Sequence, residues 1–319
     1  MADTTKVMDL AQRVRAEVGK AVVGQTALVD SLLVGLVSGG HVLVEGVPGT
    51  AKTLLARALA RSLDAEFKRI QFSPDLMPAD VVGTNVYDAS NGEFRLRTGP
   101  IFTNLLLADE INRTPPKTQA ALLEAMQEHQ VTIDGTTHAL PDPFLVIATQ
   151  NPVEYEGTYP LPEAQLDRFQ LKVVVDYPSH AEELEIVRRH LGGAGWTDLD
   201  ALGLVPVASV ADVLAARAEL DSVVVDDGVI GYVTAIVRAT REHPSVTLGA
   251  SPRAAVSLLT AAKAAAMLSG RDFVTPDDVK SMAFPCLRHR IVLRPEIEIE
   301  GVGTDAVLAD AVEQVPVPR

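Results

Sequence analysis

The sequence predicts an α/β fold: a parallel sheet covered by helices on both faces, followed by a smaller, wholly helical domain. Two observations carry this expectation. Up to Asp176, short apolar runs of strand character alternate with helical stretches, and beyond it the pattern is mostly helical. The length agrees, since 319 residues leave room for about two domains, each with a core.

In chain order, an amphipathic helix is expected over Thr5–Lys20 and another over Gln25–Val37. The run His41-Val42-Leu43-Val44-Glu45 is short, apolar and β-branched and ends at glycine, which suits a buried strand. A helical pattern over Lys52–Leu63 completes a strand–loop–helix unit. Glu66–Phe72, Leu105–Ala108, Leu145–Thr149 and Leu171–Val175 read as further strands, with a helix over Pro116–Glu128. Two hairpins interrupt this rhythm. Thr84–Tyr87 and Glu93–Leu96 flank Asn91-Gly92, while Val131–Ile133 and Thr137–Leu140 flank Asp134-Gly135. Both dipeptides tolerate positive φ at two successive residues, as tight hairpin turns require. The two insertions, at about residues 82–97 and 130–140, read equally as decoration or as working parts.

Pro178-Ser179 opens a helix, and Gly192-Gly193-Ala194-Gly195 marks a flexible break. The boundary therefore falls between a core of residues 1–192 and a helical domain of residues 193–319. Helices in the second part are expected over Val210–Leu220, Gly228–Glu242, Pro252–Leu268 and Pro276–Arg288. The last has a strong start in Thr275-Pro276-Asp277-Asp278: a capping hydroxyl, a first-turn proline, and acids at the positive helix end.

Composition narrows the function. With 47% hydrophobic and 22% charged residues, a disordered chain is excluded. A single cysteine, Cys286, rules out an internal disulfide. The net charge of −14 and 4% aromatics suit nucleic acid poorly, because phosphate backbones attract clustered Lys and Arg and single strands favour aromatic platforms. Met1–Leu10 has acids at Asp3 and Asp9 and no apolar centre, unlike a signal peptide. The apolar stretch from Ser31 to Val44 is broken by Gly35, Gly39 and Gly40 and is short of the roughly twenty residues that cross a bilayer. A cytoplasmic protein without membrane insertion is expected. The segment Pro295–Arg319 is strongly acidic and reads as solvated exterior.

Directly after the first strand comes Gly46-Val47-Pro48-Gly49-Thr50-Ala51-Lys52-Thr53-Leu54, which matches the phosphate-loop pattern except that Ala51 replaces its second glycine. Backbone N–H groups of such a turn, together with the positive end of the following helix, cradle phosphate. Lys52 would reach the β- and γ-phosphates, and Thr53 would hold magnesium. Ala51 is harmless if its position has right-handed helical φ. A glycine-rich turn without ligand is the plain alternative. At the tip of the strand Leu105–Ala108 stand Asp109 and Glu110. Carboxylates at this edge of an open sheet lie where ligands bind: Asp109 would meet the magnesium through water, and Glu110 would polarise an attacking water. In Ala148-Thr149-Gln150-Asn151-Pro152, Asn151 either hydrogen-bonds γ-phosphate and water or initiates a turn. Arg168, in Leu161–Phe169, is either a finger that stabilises transition-state charge or part of a surface turn. Arg253 projects from the first turn of a helix capped by Ser251, where a positive charge is unfavourable unless an anion is near; a surface arginine is the alternative.

GVPGTAKT, LLLADEINR, ATQNP, LPEAQLDRF and GASPRA occur in this order over more than 200 residues, and the sequence is identified by them as resembling the MoxR family of AAA+ ATPases. The likeness continues through Leu287-Arg288-His289-Arg290 and covers nearly the whole chain. It implies a P-loop NTPase core with an all-α lid, and ATP and Mg2+ as cofactors. Alanine before the lysine is usual in this family. Lys52 and Thr53 match Walker A, Asp109 and Glu110 match Walker B, Asn151 sensor 1, Arg168 the arginine finger and Arg253 sensor 2. The resemblance further implies that the finger acts in trans within a ring, usually a hexamer, and that Val22-Val23-Gly24-Gln25, chiefly Val23 and Gly24, borders the adenine. The hairpins fall where this clade carries insertions that face the ring pore or the client. A partner with a von Willebrand A domain and an unidentified client protein are implied likewise.

Three functions compete: an ATP-driven remodelling or maturation machine acting on protein, a nucleic-acid-stimulated motor, and a non-hydrolysing nucleotide switch. The hairpins carry Arg95, Arg97 and His138 against Asp88, Glu93 and Asp134, too little basic charge to grip phosphates. Intact Glu110 and Asn151 speak against a mere switch.

Overall fold

A computed structural model describes residues 4–151, 158–191 and 197–318. Helices α1 (Thr4–Ala21) and α2 (Thr26–Ser38) precede β1 (Val42–Gly46), α3 (Lys52–Ser62) and β2 (Phe67–Gln71). Next come a short α4 (Pro78–Val82), the hairpin β3 (Gly83–Asp88) and β4 (Glu93–Thr98), then β5 (Leu105–Asp109) and α5 (Pro116–Glu128). A second hairpin, β6 (Gln130–Ile133) and β7 (Thr136–Ala139), leads to β8 (Leu145–Gln150), α6 (Glu163–Leu166), β9 (Leu171–Val175) and α7 (His180–Leu191).

Among the described residues, the central sheet has five parallel strands in the order β2-β5-β8-β1-β9. Alternation along its strands explains how it is covered. Val42 and Val44, Leu105 and Leu107, and Leu145 and Ile147 join one buried cluster with α1, α2, α3 and the helical domain. Leu43, Leu106, Ala108, Val146 and Ala148 face the other way, into a cluster with α5. A parallel sheet buried on both faces follows from these near-continuous apolar runs. Because β5, β8 and β1 are adjacent, the segments after them share one sheet edge.

The helical domain contains α8 (Val210–Glu219), α9 (Asp227–Glu242), β10 (Val246–Leu248), α10 (Pro252–Leu268), α11 (Pro276–Leu287), β11 (Val292–Leu293), α12 (Pro295–Ile299) and α13 (Thr304–Glu313). Ser251 accepts from the Ala254 N–H, and Thr275 and Asp278 form a reciprocal capping box, so the expected starts of α10 and α11 hold. The glycine break expected at residues 192–195 lies outside the described residues.

The structure departs from expectation in three places. The first hairpin is not closed by a two-residue turn at Asn91-Gly92. Asp88 pairs with Glu93, leaving a four-residue loop in which Gly92 has positive φ and Asn91 does not. The second does close tightly: Ile133 pairs with Thr136 and both Asp134 and Gly135 have positive φ. The β10–β11 ribbon was not foreseen, because its strands are too short for alternation to register. The acidic end of the chain is not merely solvated exterior either. Its α13 buries Val307, Leu308, Ala311 and Val312, while Asp305 and Asp310 pair with Arg288 (3.0 Å) and His243 (2.9 Å).

Candidate functional site

The turn from β1 into α3 forms one wall of a cleft of about 330 Å³, lined by Gly46 and Pro48 to Leu54 on one side and by Asp109, Glu110, Thr149, Gln150 and Asn151 on the other. That volume suits a small-molecule site. Gly46 is required by close packing, since a Cβ there would lie 2.6 Å from the Val175 carbonyl oxygen on β9. Gly49 has φ +84° and open space around it, which leaves the turn's inner surface free. Ala51 has φ +59° and ψ +20°. Its position is left-handed rather than right-handed helical, so the departure from glycine is accommodated with backbone strain of about 1 kcal/mol or more.

The Lys52 ammonium donates to the carbonyls of Gly46 (2.7 Å) and Val47 (2.8 Å). Burial pushes its pKa down, opposed by the charges of Asp109 and Glu110. Asp109 Oδ1 accepts from the Thr149 hydroxyl at 2.5 Å, and Oδ2 accepts from the Arg69 guanidinium at 2.7 Å. Glu110 stands at φ +57°, its N–H donating to Thr149 Oγ1 at 2.9 Å. Its Oε2 accepts from Gln71 Nε2 (2.7 Å) and Arg113 Nε (3.1 Å). Asn151 is buried at the end of β8, while Pro152 lies outside the described residues. Thr53 and Asp109 bring hard oxygen donors to one cleft, a donor set that fits Mg2+.

Alongside lies a second, more apolar hollow lined by Val22, Val23, Gln25, Pro178, Ile186 and Leu202, which shares Gly49, Thr50, Ala51 and Leu54 with the first. Gly24 and Gln25 both have positive φ there. The Gly24 N-to-C turn is overlain by Glu182 of α7, whose carboxylate would lie 2.5 Å from a Cβ at Gly24.

Arg168 and Arg253 are elsewhere. They line a separate pocket with Gln127, His129, Asp167 and Arg290, which contains no residue of the phosphate loop. Within one chain, neither Arg168 nor Arg253 lines the cleft that holds Lys52. Arg168 Nη1 donates to the Leu123 carbonyl on α5 at 2.7 Å, and Arg253 is exposed at the start of α10. His41 also lines this pocket and is buried. Its Nε2–H donates to Met126 O (3.0 Å) and its Nδ1 accepts from the Val146 N–H (3.0 Å), while burial pushes its pKa down to about 4.

Thr149, Arg69 and Gln71 touch the two carboxylates but were missed from sequence. Each reaches Asp109 or Glu110 across strand pairing, β8 and β2 flanking β5, and no local motif announces that.

Residues 41–171 match the family described as ATPase family associated with various cellular activities (AAA), and residues 238–311 match the AAA lid domain. The chain is 49% identical over 301 residues to the uncharacterized protein YeaC of Bacillus subtilis (strain 168), covering 94% of this chain and 92% of that one. It is 43% identical over 322 residues to Chaperone MoxR1 of Mycobacterium tuberculosis, covering 97% and 82%. With Protein MoxR of Methylorubrum extorquens the identity is 30% over 344 residues, covering 97% and 96%. A crystal structure from Cytophaga hutchinsonii ATCC 33406 superposes with a TM-score of 0.91 at 44% identity, covering 99% of this chain and 97% of that one. Fold, motif order and relatives therefore agree: the chain belongs to the MoxR family of AAA+ ATPases, with an α/β core and a helical lid.

Proposed function

We propose that this chain hydrolyses Mg-ATP in a ring, most simply a hexamer, and uses the cycle to remodel or mature a partner protein. The observation that carries this reading is the division of charge between two pockets. One holds the phosphate loop, Asp109 and Glu110; the other holds Arg168 and Arg253 without a phosphate loop. Head-to-tail association would bring one copy's second pocket to the next copy's cleft, and heterologous contacts of this kind form a ring when the rotation between copies closes.

In the cleft, Lys52 would neutralise the terminal phosphates. Glu110 would accept the proton of the attacking water, held for it by Gln71 and Arg113, and the Asn151 amide would orient that water. Mg2+, when bound, would neutralise phosphate charge, with Thr53 and Asp109 as its protein-side oxygen donors. Arg168 of the adjacent copy would stabilise charge spread over the transferred group, with Arg253 reading the same anion. The hollow lined by Val23, next to Gly24 in the chain, would take the adenine.

A protein client is favoured over nucleic acid. On the first hairpin Tyr87 and Phe94 stand 57% and 71% exposed with ring centroids 5.3 Å apart, while Arg95 is already paired with Asp88 at 3.3 Å. A relative named a chaperone accords with that choice, and a von Willebrand A domain protein is the expected adaptor. Mixed assemblies of Arg168→Ala and Lys52→Ala subunits test the shared site: turnover reappears on mixing if it is right, and stays lost if each copy works alone.

A further inference from the structure

Arg290 had no function in the sequence beyond belonging to Leu287–Arg290. In the structure it is 8% exposed and reaches from the lid into the core segment that carries Arg168. Its Nε donates to Asp167 Oδ1 at 2.6 Å, and Nη2 donates to the Phe169 carbonyl at 2.9 Å. Nη1 donates to the Gln170 carbonyl at 3.3 Å and to Cys286 O, at the end of α11, at 2.6 Å. A further contact of Nη2 reaches Ser257 Oγ at 3.4 Å, one turn beyond Arg253 on α10. The neighbouring His289 adds an Nε2–H bond to Phe169 O at 2.9 Å. Arg168 is thus bracketed on both sides, at Asp167 and at Phe169 to Gln170, by one buried guanidinium whose planar fork satisfies several acceptors at once.

We propose that Arg290 is a positioning residue: it fixes the Asp167–Gln170 segment against the lid, and so sets where Arg168 is presented to the next copy's nucleotide. This rests on Arg168 acting in trans. The consequence is directional. Displacing Arg290 should impair the neighbour's turnover while leaving the nucleotide affinity of its own cleft intact, because its hydrogen-bond partners among the described residues all lie outside that cleft. A finger misplaced by about 1 Å is enough for losses approaching a hundredfold.

The test uses the full chain. Arg290→Gln is expected to lower kcat at least tenfold with KM and ATP affinity within twofold of wild type. Asp167→Asn, which keeps shape and removes only the ion pair, should lower kcat severalfold in the same pattern. Mixing Arg290→Gln with Lys52→Ala subunits, which supply an intact finger, should restore turnover as it does for Arg168→Ala. If Arg168→Ala is impaired and rescued but both Arg290→Gln and Asp167→Asn keep wild-type kcat, the positioning role is wrong and the finger reading stands. Impaired kcat that mixing does not restore, or loss of ATP affinity in Asp167→Asn with a wild-type melting temperature, also overturns it. If Arg168→Ala itself turns over normally, the finger reading fails, and the positioning role with it.

Discussion

Replacing Glu110 by Gln separates chemistry from folding in this site. The substitution keeps the shape and leaves an oxygen to accept from Gln71 and Arg113, whose contacts to Oε2 are 2.7 and 3.1 Å. What it removes from the fold is one charge of a half-exposed pair, with side-chain exposures of 27% for Glu110 and 40% for Arg113. Such pairs contribute about 1 kcal/mol or less, so the melting temperature should move by only a few degrees. The φ of +57° is no harder for Gln than for Glu. Chemistry loses much more. A positioned general base contributes roughly 10²- to 10⁴-fold, or roughly 3 to 5 kcal/mol of barrier. Single-turnover hydrolysis of labelled ATP should therefore slow by at least about a hundredfold, while calorimetric ATP affinity is kept or improved. A folded, ATP-binding variant with turnover within threefold of wild type would refute Glu110 as the residue that activates water.

Two further predictions concern the frame of the site. Ala51→Gly should change stability by no more than about 1 kcal/mol, since relief of the left-handed alanine opposes the entropy cost of glycine. Ala51→Val should be clearly destabilised and bind ATP at least tenfold more weakly, because a β-branched residue resists positive φ; wild-type binding would contradict the left-handed conformation. His41 predicts an acid dependence. Its folded pKa of about 4 lies below the unfolded value near 6.5, so the unfolded chain binds the extra proton and stability falls as pH drops between them. About 1.4 kcal/mol per pH unit gives roughly 3 kcal/mol across that window. Denaturant titrations of wild type and His41→Gln should show a shallower acid slope in the variant, and parallel slopes would exclude His41 as the source.

Much of this was legible because the informative signals are local. A phosphate loop, a strand ending in paired acids and an Asn-Pro step are short patterns with their own physical reasons, and the structure puts the first two and Asn151 on one cleft because β1, β8 and β5 are neighbours. The order of those strands is not a local property, so Thr149 beside Asp109 and Gln71 beside Glu110 went unseen. The same limit hid Arg290, whose partners lie about 120 residues away. The backbone conformation at Ala51 was not legible for another reason: alanine carries a strong right-handed preference, and here the turn preceding α3 overrides it. In α13, acids on the outward face masked an apolar face built from Val307, Leu308, Ala311 and Val312.

The claim that each active site is completed by the next copy is tested most directly by mixing two inactive variants. Arg168→Ala has an intact cleft and no finger, and Lys52→Ala has an intact finger and a disabled cleft. Alone, each should lose most of its turnover, on the order of a thousandfold where a finger is removed. In an equimolar mixture, roughly a quarter of head-to-tail interfaces would pair an intact cleft with an intact finger, so turnover should rise to a substantial fraction of wild type. A mixture no more active than the sum of its parts, from subunits shown to co-assemble, would contradict the shared site.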